Sequence, residues 1–215
     1  MGGEVHALLG ENGAGKSTLV KILSGFEAPS TGSLTYEGDT VQWSSEEAEN
    51  SGVILIHQEF NLAEQLTVEE SIFLGREITK GPFLDKVKMR TLAQGYLQAL
   101  DCYADPSARI HDLAVADKQM VELAKATSRN ARVLILDEPT AVLTGKETKV
   151  LFELIRRLRA QGVAIIYISH KLEEIEEIAD RITILRDGTL VGDYDAKELT
   201  KDDMARLMVG RELSD

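Results

Sequence analysis

Apolar positions along this chain fall into short unbroken runs separated by stretches of helical period. Val5–Leu9, Val53–Ile56, Val133–Leu136 and Val163–Ile168 read as buried strands, with Val53–Ile56 as a central parallel one. Between them, Leu19, Val20, Ile22 and Leu23 recur at helical spacing, and Gly25 can close that helix. The polar/apolar alternation from Gly32 to Val41 around Gly38-Asp39 predicts a hairpin, and Trp43 to Ser51 a short acidic helix. Val150, Leu151, Leu154, Ile155 and Leu158 place one apolar stripe on a helix from Lys146 to Ala160, ended at Gly162. An acidic helix over Lys171–Ala179 follows. Two strands, Ile182–Leu185 and Thr189–Val191, then flank the turn Asp187-Gly188, and a closing helix starts near Thr200.

From about Leu62 to Arg129 the strand signal disappears. Thr67-Val68-Glu69-Glu70 has the layout of a capping box, leading into Ile72, Phe73 and Leu74. Val87–Leu100 and Asp117–Ala126 each carry one apolar face. The whole predicts an α/β fold with a mostly parallel sheet and a small antiparallel segment. A helical lobe, 62–129, is inserted into a core made of 1–61 and 130–215.

Composition narrows the partners. At 215 residues the chain can bury a substantial core as one domain with an inserted lobe. A formal net charge of −12 argues against a nucleic-acid backbone or an anionic lipid surface, since both reward a basic face. Cys102 is the single cysteine, so no internal disulfide forms, which suits a reducing cytosol. No apolar run approaches the roughly 20 residues that span a bilayer, and the start lacks a signal-peptide layout. Any membrane association is therefore expected to be peripheral.

Gly10-Glu11-Asn12-Gly13-Ala14-Gly15-Lys16-Ser17-Thr18 fits the pattern G-x-x-x-x-G-K-[ST] without a mismatch. Its glycines let backbone N–H groups approach phosphate oxygens, Lys16 can reach the β- and γ-phosphates, and Ser17 can ligate Mg²⁺. The strand before it and the helix after it supply the context of a P-loop NTPase core, with the helix dipole adding to an anion site. Asp137 follows a buried strand, in the position of a Walker B carboxylate, and Glu138 beside it projects differently. One carboxylate can serve the Mg²⁺ shell and the other the attacking water. His6, His57 and His111 have no metal-ligand spacing and are assigned no chemistry.

The order of glycine loop, Gln58 after a strand, helical lobe, Asp137-Glu138-Pro139-Thr140 and His170 resembles the nucleotide-binding domain of ABC transporters. More narrowly, it looks like the amino-terminal ATPase half of bacterial monosaccharide importers of the ribose, xylose and galactose type. Ile56–Leu62, Ile72–Glu77, Gln119–Ala126, Asp137–Thr144, Tyr167–Lys171 and Met208-Val209-Gly210-Arg211 carry the resemblance along the chain. It implies a subunit that binds ATP and Mg²⁺ and hydrolyses ATP to drive sugar import. Gln58 would be the Q-loop glutamine at Mg²⁺ or the lytic water, Glu138 would polarise that water, and His170 would be the switch histidine at the γ-phosphate. The implied partners are membrane permease subunits, a second ATPase domain in a head-to-tail dimer and, indirectly, a sugar-binding protein, with no nucleic acid. The implied location is the cytoplasmic face of the cell membrane.

Two departures qualify this. The family's L-S-G-G-Q signature is matched here by Leu113-Ala114-Val115-Ala116-Asp117. Ala114 offers no hydroxyl to a partner's γ-phosphate, a loss of roughly 1.5–3 kcal/mol for a bond to a charged group. The site that this segment completes is therefore expected to be weak or inactive, while this chain's own loop would be completed by another domain's intact signature. Thr144 likewise stands where many relatives place the D-loop aspartate. Relatives also have roughly thirty residues ahead of the first strand, including an adenine-stacking aromatic; without them the Gly32–Val41 hairpin exposes a sheet edge. The expectation is a fragment lacking that start and the second ATPase half. A nucleotide-binding module without hydrolysis, a soluble ABC-type ATPase acting on ribosomes or nucleic acid, and an inert relic are the alternatives.

Overall fold

The computed structural model describes residues 2–56 and 62–210. In chain order the elements are β1 (Val5–Leu9), α1 (Lys16–Leu23), β2 (Leu34–Tyr36), β3 (Asp39–Val41), α2 (Ser45–Asn50) and β4 (Val53–Ile56). Next come α3 (Val68–Ile72), β5 (Thr79–Lys80), β6 (Phe83–Leu84), α4 (Lys86–Gln98) and α5 (Val115–Thr127). The chain finishes with β7 (Val133–Asp137), α6 (Gly145–Ala160), β8 (Ala164–Ile168), α7 (Leu172–Ile178), β9 (Arg181–Arg186), β10 (Thr189–Asp195) and α8 (Lys201–Val209).

Contacts divide the chain into two compact units, one of residues 1–55, 131–138 and 156–215, the other of 56–130 and 139–155. The first is built on a six-stranded sheet of order β10-β9-β1-β8-β7-β4. β1 pairs in parallel with β8 and β9, and β7 with β8, while β10 returns antiparallel to β9. The return turn, Asp187-Gly188, has positive φ at both residues (50° and 75°), the type I′ geometry that matches strand twist. The unbroken apolar strands are buried because helices cover them: Leu8, Val20, Ala48, Val53, Ile135 and Ile168 form one cluster.

β4 is as apolar as expected but lies at one end of this sheet, next to β7, not at its centre. An apolar run reports that both faces are covered, and it says nothing of how many strands flank it. β2 and β3 form their own hairpin, with the turn at Glu37-Gly38, one residue earlier than the pattern suggested. Tyr36 on β2 tilts against Trp43, ring centroids 5.1 Å apart at 58°. The two rings line an apolar cavity of about 350 Å³ together with Leu23, Val53, Ile135 and Ile166.

The second unit is mostly helical. The Thr67/Glu70 capping box forms with both arms, each bonding the other's backbone N–H at 3.3 and 3.0 Å. Glu69, nearly buried on α3, is held by Arg90 of α4 through bonds of 2.7 and 2.9 Å. Ile72, Met89, Ala93, Leu97, Ile110 and Leu123 are fully buried. The small hairpin β5–β6 was not expected: two-residue strands at Thr79–Lys80 and Phe83–Leu84 are too short to show a period. Among the described residues, no helix is long and apolar enough to cross a membrane.

Candidate nucleotide-binding site

Parallel pairing puts the ends of three strands on one edge of the first unit. Leu8 of β1 lies beside Ile168 of β8, and Ile168 beside Asp137 of β7, so the segments that follow leave the sheet side by side. Such carboxyl ends are where open α/β sheets take ligands. Gly10, His170 and the Asp137-Glu138 pair all emerge there.

The glycine loop is shaped by sterics. A Cβ on Gly10 would sit 2.5 Å from the Leu185 carbonyl oxygen and 2.8 Å from the Ala14 Cβ, so no larger residue fits. Gly13 and Gly15 take φ of 85° and 101°, the left-handed region that glycine enters at little cost. The loop is tied internally by Ala14 N–H donating to Glu11 O at 3.1 Å. It is braced from outside by Gly188 N–H donating to Ala14 O at 3.2 Å. Sequence reading found the Asp187-Gly188 turn but not this brace, which is a tertiary contact with no local signature.

α1 begins straight after Gly15 with no side-chain cap, so its first amides are left for a ligand. Ser17 and Thr18 are exposed in this first turn. Lys16 arches back over the loop, and its Nζ donates to Gly10 O at 2.6 Å and Glu11 O at 3.0 Å. Burial lowers the Lys16 pKa, and the carboxylates of Glu138 and Asp137 oppose that shift. Lys16 therefore senses both acids that the sequence singled out.

Glu138 has φ 51°, uncommon outside glycine, with its N–H bonded to Ile168 O at 2.9 Å. Strain of this kind persists only where surroundings impose it, and it concentrates at working sites. The carboxylate is 13% exposed, and its Oε2 lies 2.8 Å from His170 Nδ1. That contact is off hydrogen-bond geometry, and Oε2 has no hydrogen-bond partner among the described residues. His170 itself is largely exposed. Loop, Lys16, Glu138, His170 and, unexpectedly, Met208 of α8 line one open cleft of about 590 Å³.

A metal fits this donor set only in part. Asp137 and the Ser17 hydroxyl are the candidate ligands, and no group of three or more His, Cys, Asp or Glu among the described residues could hold an ion alone. Mg²⁺ favours such a sparse site when phosphate oxygens and waters complete its octahedron. Gln58 lies outside the described residues.

In the second unit, α5 starts at Val115 with Ala114 as an extended, side-chain-free cap. Thr144, at the D-loop position, does something the sequence reading missed: it caps α6, its Oγ1 2.7 Å from Glu147 Oε2.

Residues 2–141 match the profile of the family described as ABC transporter. The chain belongs to the ABC transporter family. It is 50% identical over 214 residues to a putative ribose/galactose/methyl galactoside import ATP-binding protein of Agrobacterium fabrum, covering 99% of this chain and 42% of that protein. It is also 50% identical to the ribose import ATP-binding protein RbsA of Chromobacterium violaceum, covering 100% of this chain and 43% of that one. This ABC chain thus spans less than half the length of these relatives. Among solved structures it shares its fold with an ATP-binding cassette captured as a dimer bound to ADP and Pi, at TM-score 0.79 and 21% identity, over 91% of this chain and 87% of that one. CbiO1 of Clostridium perfringens, part of the ABC transporter complex CbiONQ, gives TM-score 0.75 at 24% identity, over 92% of this chain and 79% of the other.

Proposed function

We propose that this chain is the ATP-binding and ATP-hydrolysing part of a monosaccharide importer. The loop amides of Gly10 to Thr18 and the Lys16 ammonium bind the triphosphate. Ser17, Asp137 and Gln58 would hold Mg²⁺, which when bound neutralises developing phosphate charge. Glu138 accepts the proton of a water aimed at the γ-phosphorus, and His170, in contact with that carboxylate, steadies it and the γ-phosphate. The bond from the γ-phosphorus to the bridging oxygen breaks as the water oxygen bonds, leaving ADP and inorganic phosphate.

The observation that carries the reading is the cleft itself: the Lys16 ammonium, the strained and nearly buried Glu138 carboxylate, and a loop in which Gly10 has no room for a Cβ and Gly13 and Gly15 take left-handed φ. Half-identity to ribose and galactose import ATP-binding proteins supports the sugar assignment. Under this reading the helical lobe, 62–129, passes closure through Gln58 to a permease on the cytoplasmic face. A second ATPase domain pairs head to tail, and a sugar-binding protein supplies cargo. The deciding experiment is calorimetry with Mg·ATP on parent and Lys16→Ala, followed by phosphate release on parent and Glu138→Gln. Binding weakened in the first variant, and turnover lost with binding kept in the second, is the expected result. Equal hydrolysis by Glu138→Gln would remove that residue from the mechanism.

Ala114 favours a second element of the proposal. The site completed by this chain's own α5 is the poor one of a pair, so one nucleotide is turned over and the other mainly held.

A further inference from the structure

Met208 and Val209 close α8, Gly210 follows them, and the chemistry above leaves this stretch unused. Met208 is the one apolar side chain among the described residues lining the cleft; its other walls are the loop, Lys16, Glu138 and His170. A thioether in an anion site does not bind charge. What it can do is displace water and lower the local dielectric, which strengthens every ionic contact beside it.

α8 is held at its start, its middle and its end. Its start is fixed by the Thr200/Asp203 capping box and by Lys201, 3.1 Å from Glu176. Met204, fully buried, anchors the middle, and Met208 follows four residues later on the same face. At the end, Arg186 Nη1 donates to Leu207 O at 3.2 Å. Gly210 turns the chain at φ 70°, and a Cβ there would lie 2.5 Å from the same Nη1. Arg186 is also the neighbour of Leu185, whose carbonyl packs on Gly10, and lies two residues before Gly188, which braces Ala14. One turn therefore registers both the glycine loop and the end of α8.

We propose that Met208 is a positioning residue of the nucleotide site. It forms the dry wall beside the γ-phosphate, and Arg186 sets its depth by fixing the last turn of α8. The inference rests on the ATP reading above and deepens it. It is tested by measuring Kd for Mg·ATP and Mg·ADP on the 215-residue chain, together with apo melting temperature, for parent, Lys16→Ala, Met208→Gln, Met208→Leu and Arg186→Lys. Met208→Gln, of similar length but polar, is expected to weaken ATP about fourfold, the worth of roughly one buried methylene, with ADP little changed. Met208→Leu restores most of the loss. Arg186→Lys, which leaves the methionine in place, weakens ATP in the same direction and keeps the test open if Met208→Gln does not fold. ATP affinity unchanged in both Met208→Gln and Arg186→Lys overturns the proposal. So does an equal loss for ADP, or a leucine variant as weak as the glutamine one. If the parent binds and Lys16→Ala binds far more weakly, such a failure belongs to Met208 alone; a parent that binds no nucleotide overturns both readings.

Discussion

α1 and α5 both begin without a side-chain cap, whereas α2, α3, α4 and α8 each have one. Both leave backbone donors that need a partner from outside the helix. Their surroundings differ. Ahead of α1 stand three glycines, two of them at positive φ, and a lysine folded over the loop. Ahead of α5 stands an alanine in extended conformation, with Val115 half exposed behind it. An uncapped helix start is thus an opportunity that only its neighbours convert into an anion site. On the reading proposed above, the neighbours of α1 do so and those of α5 do not.

The sharpest way to break this contrast is at the catalytic end of the α1 site. Glu138→Gln is expected to cut kcat by about 10²–10⁴-fold, the usual worth of a general base, with Mg·ATP affinity retained. Steady-state phosphate release with parallel calorimetry checks it. Lys16→Ala comes next. It removes a charge-assisted contact and should weaken Mg·ATP by roughly 10–100-fold without lowering the melting temperature by more than a few degrees.

The contrast is sharpened from the other side by giving α5 what it lacks. Ala114→Ser with Ala116→Gly, in the assembled ATPase pair, should raise turnover at the site that α5 completes by about tenfold, in line with one recovered hydrogen bond to a charged group. Turnover of a second nucleotide per pair, read by single-turnover kinetics, is the expected outcome.

The smallest effect tests capping itself. Thr67→Ala should cost about 1 kcal/mol in denaturant unfolding at neutral pH. Bonding to the Thr67 N–H lowers the pKa of Glu70, its partner in the box. That contribution is complete above the unfolded carboxylate value of about 4.3 and is lost as pH falls through the lower folded value. Glu70→Ala should therefore cost stability at pH 7 and nearly none at pH 2.

Elements with local causes were readable from the sequence. The box at Thr67, the Asp187-Gly188 turn and the start of the closing helix near Thr200 all form where short-range hydrogen bonding and φ preference placed them. The glycine loop was readable because its close-approach and positive-φ positions lie in one contiguous motif. What escaped depends on distant neighbours. β4 looks central because its faces are covered, although strands flank it on one side only. The start of α5 falls two residues before the expected Asp117, since an alanine cap leaves no mark. The left-handed backbone at Glu138 and the reach of Met208 arise from packing that no local pattern encodes.

Trp43 is the sole tryptophan of the chain, and it sits against Tyr36 over the apolar cavity of the first unit. Its indole emission is therefore a spectroscopic channel private to that unit. Fluorescence and far-ultraviolet dichroism followed through one denaturant titration would superimpose if the chain melts as a single body, and would separate if the helical unit loosens on its own.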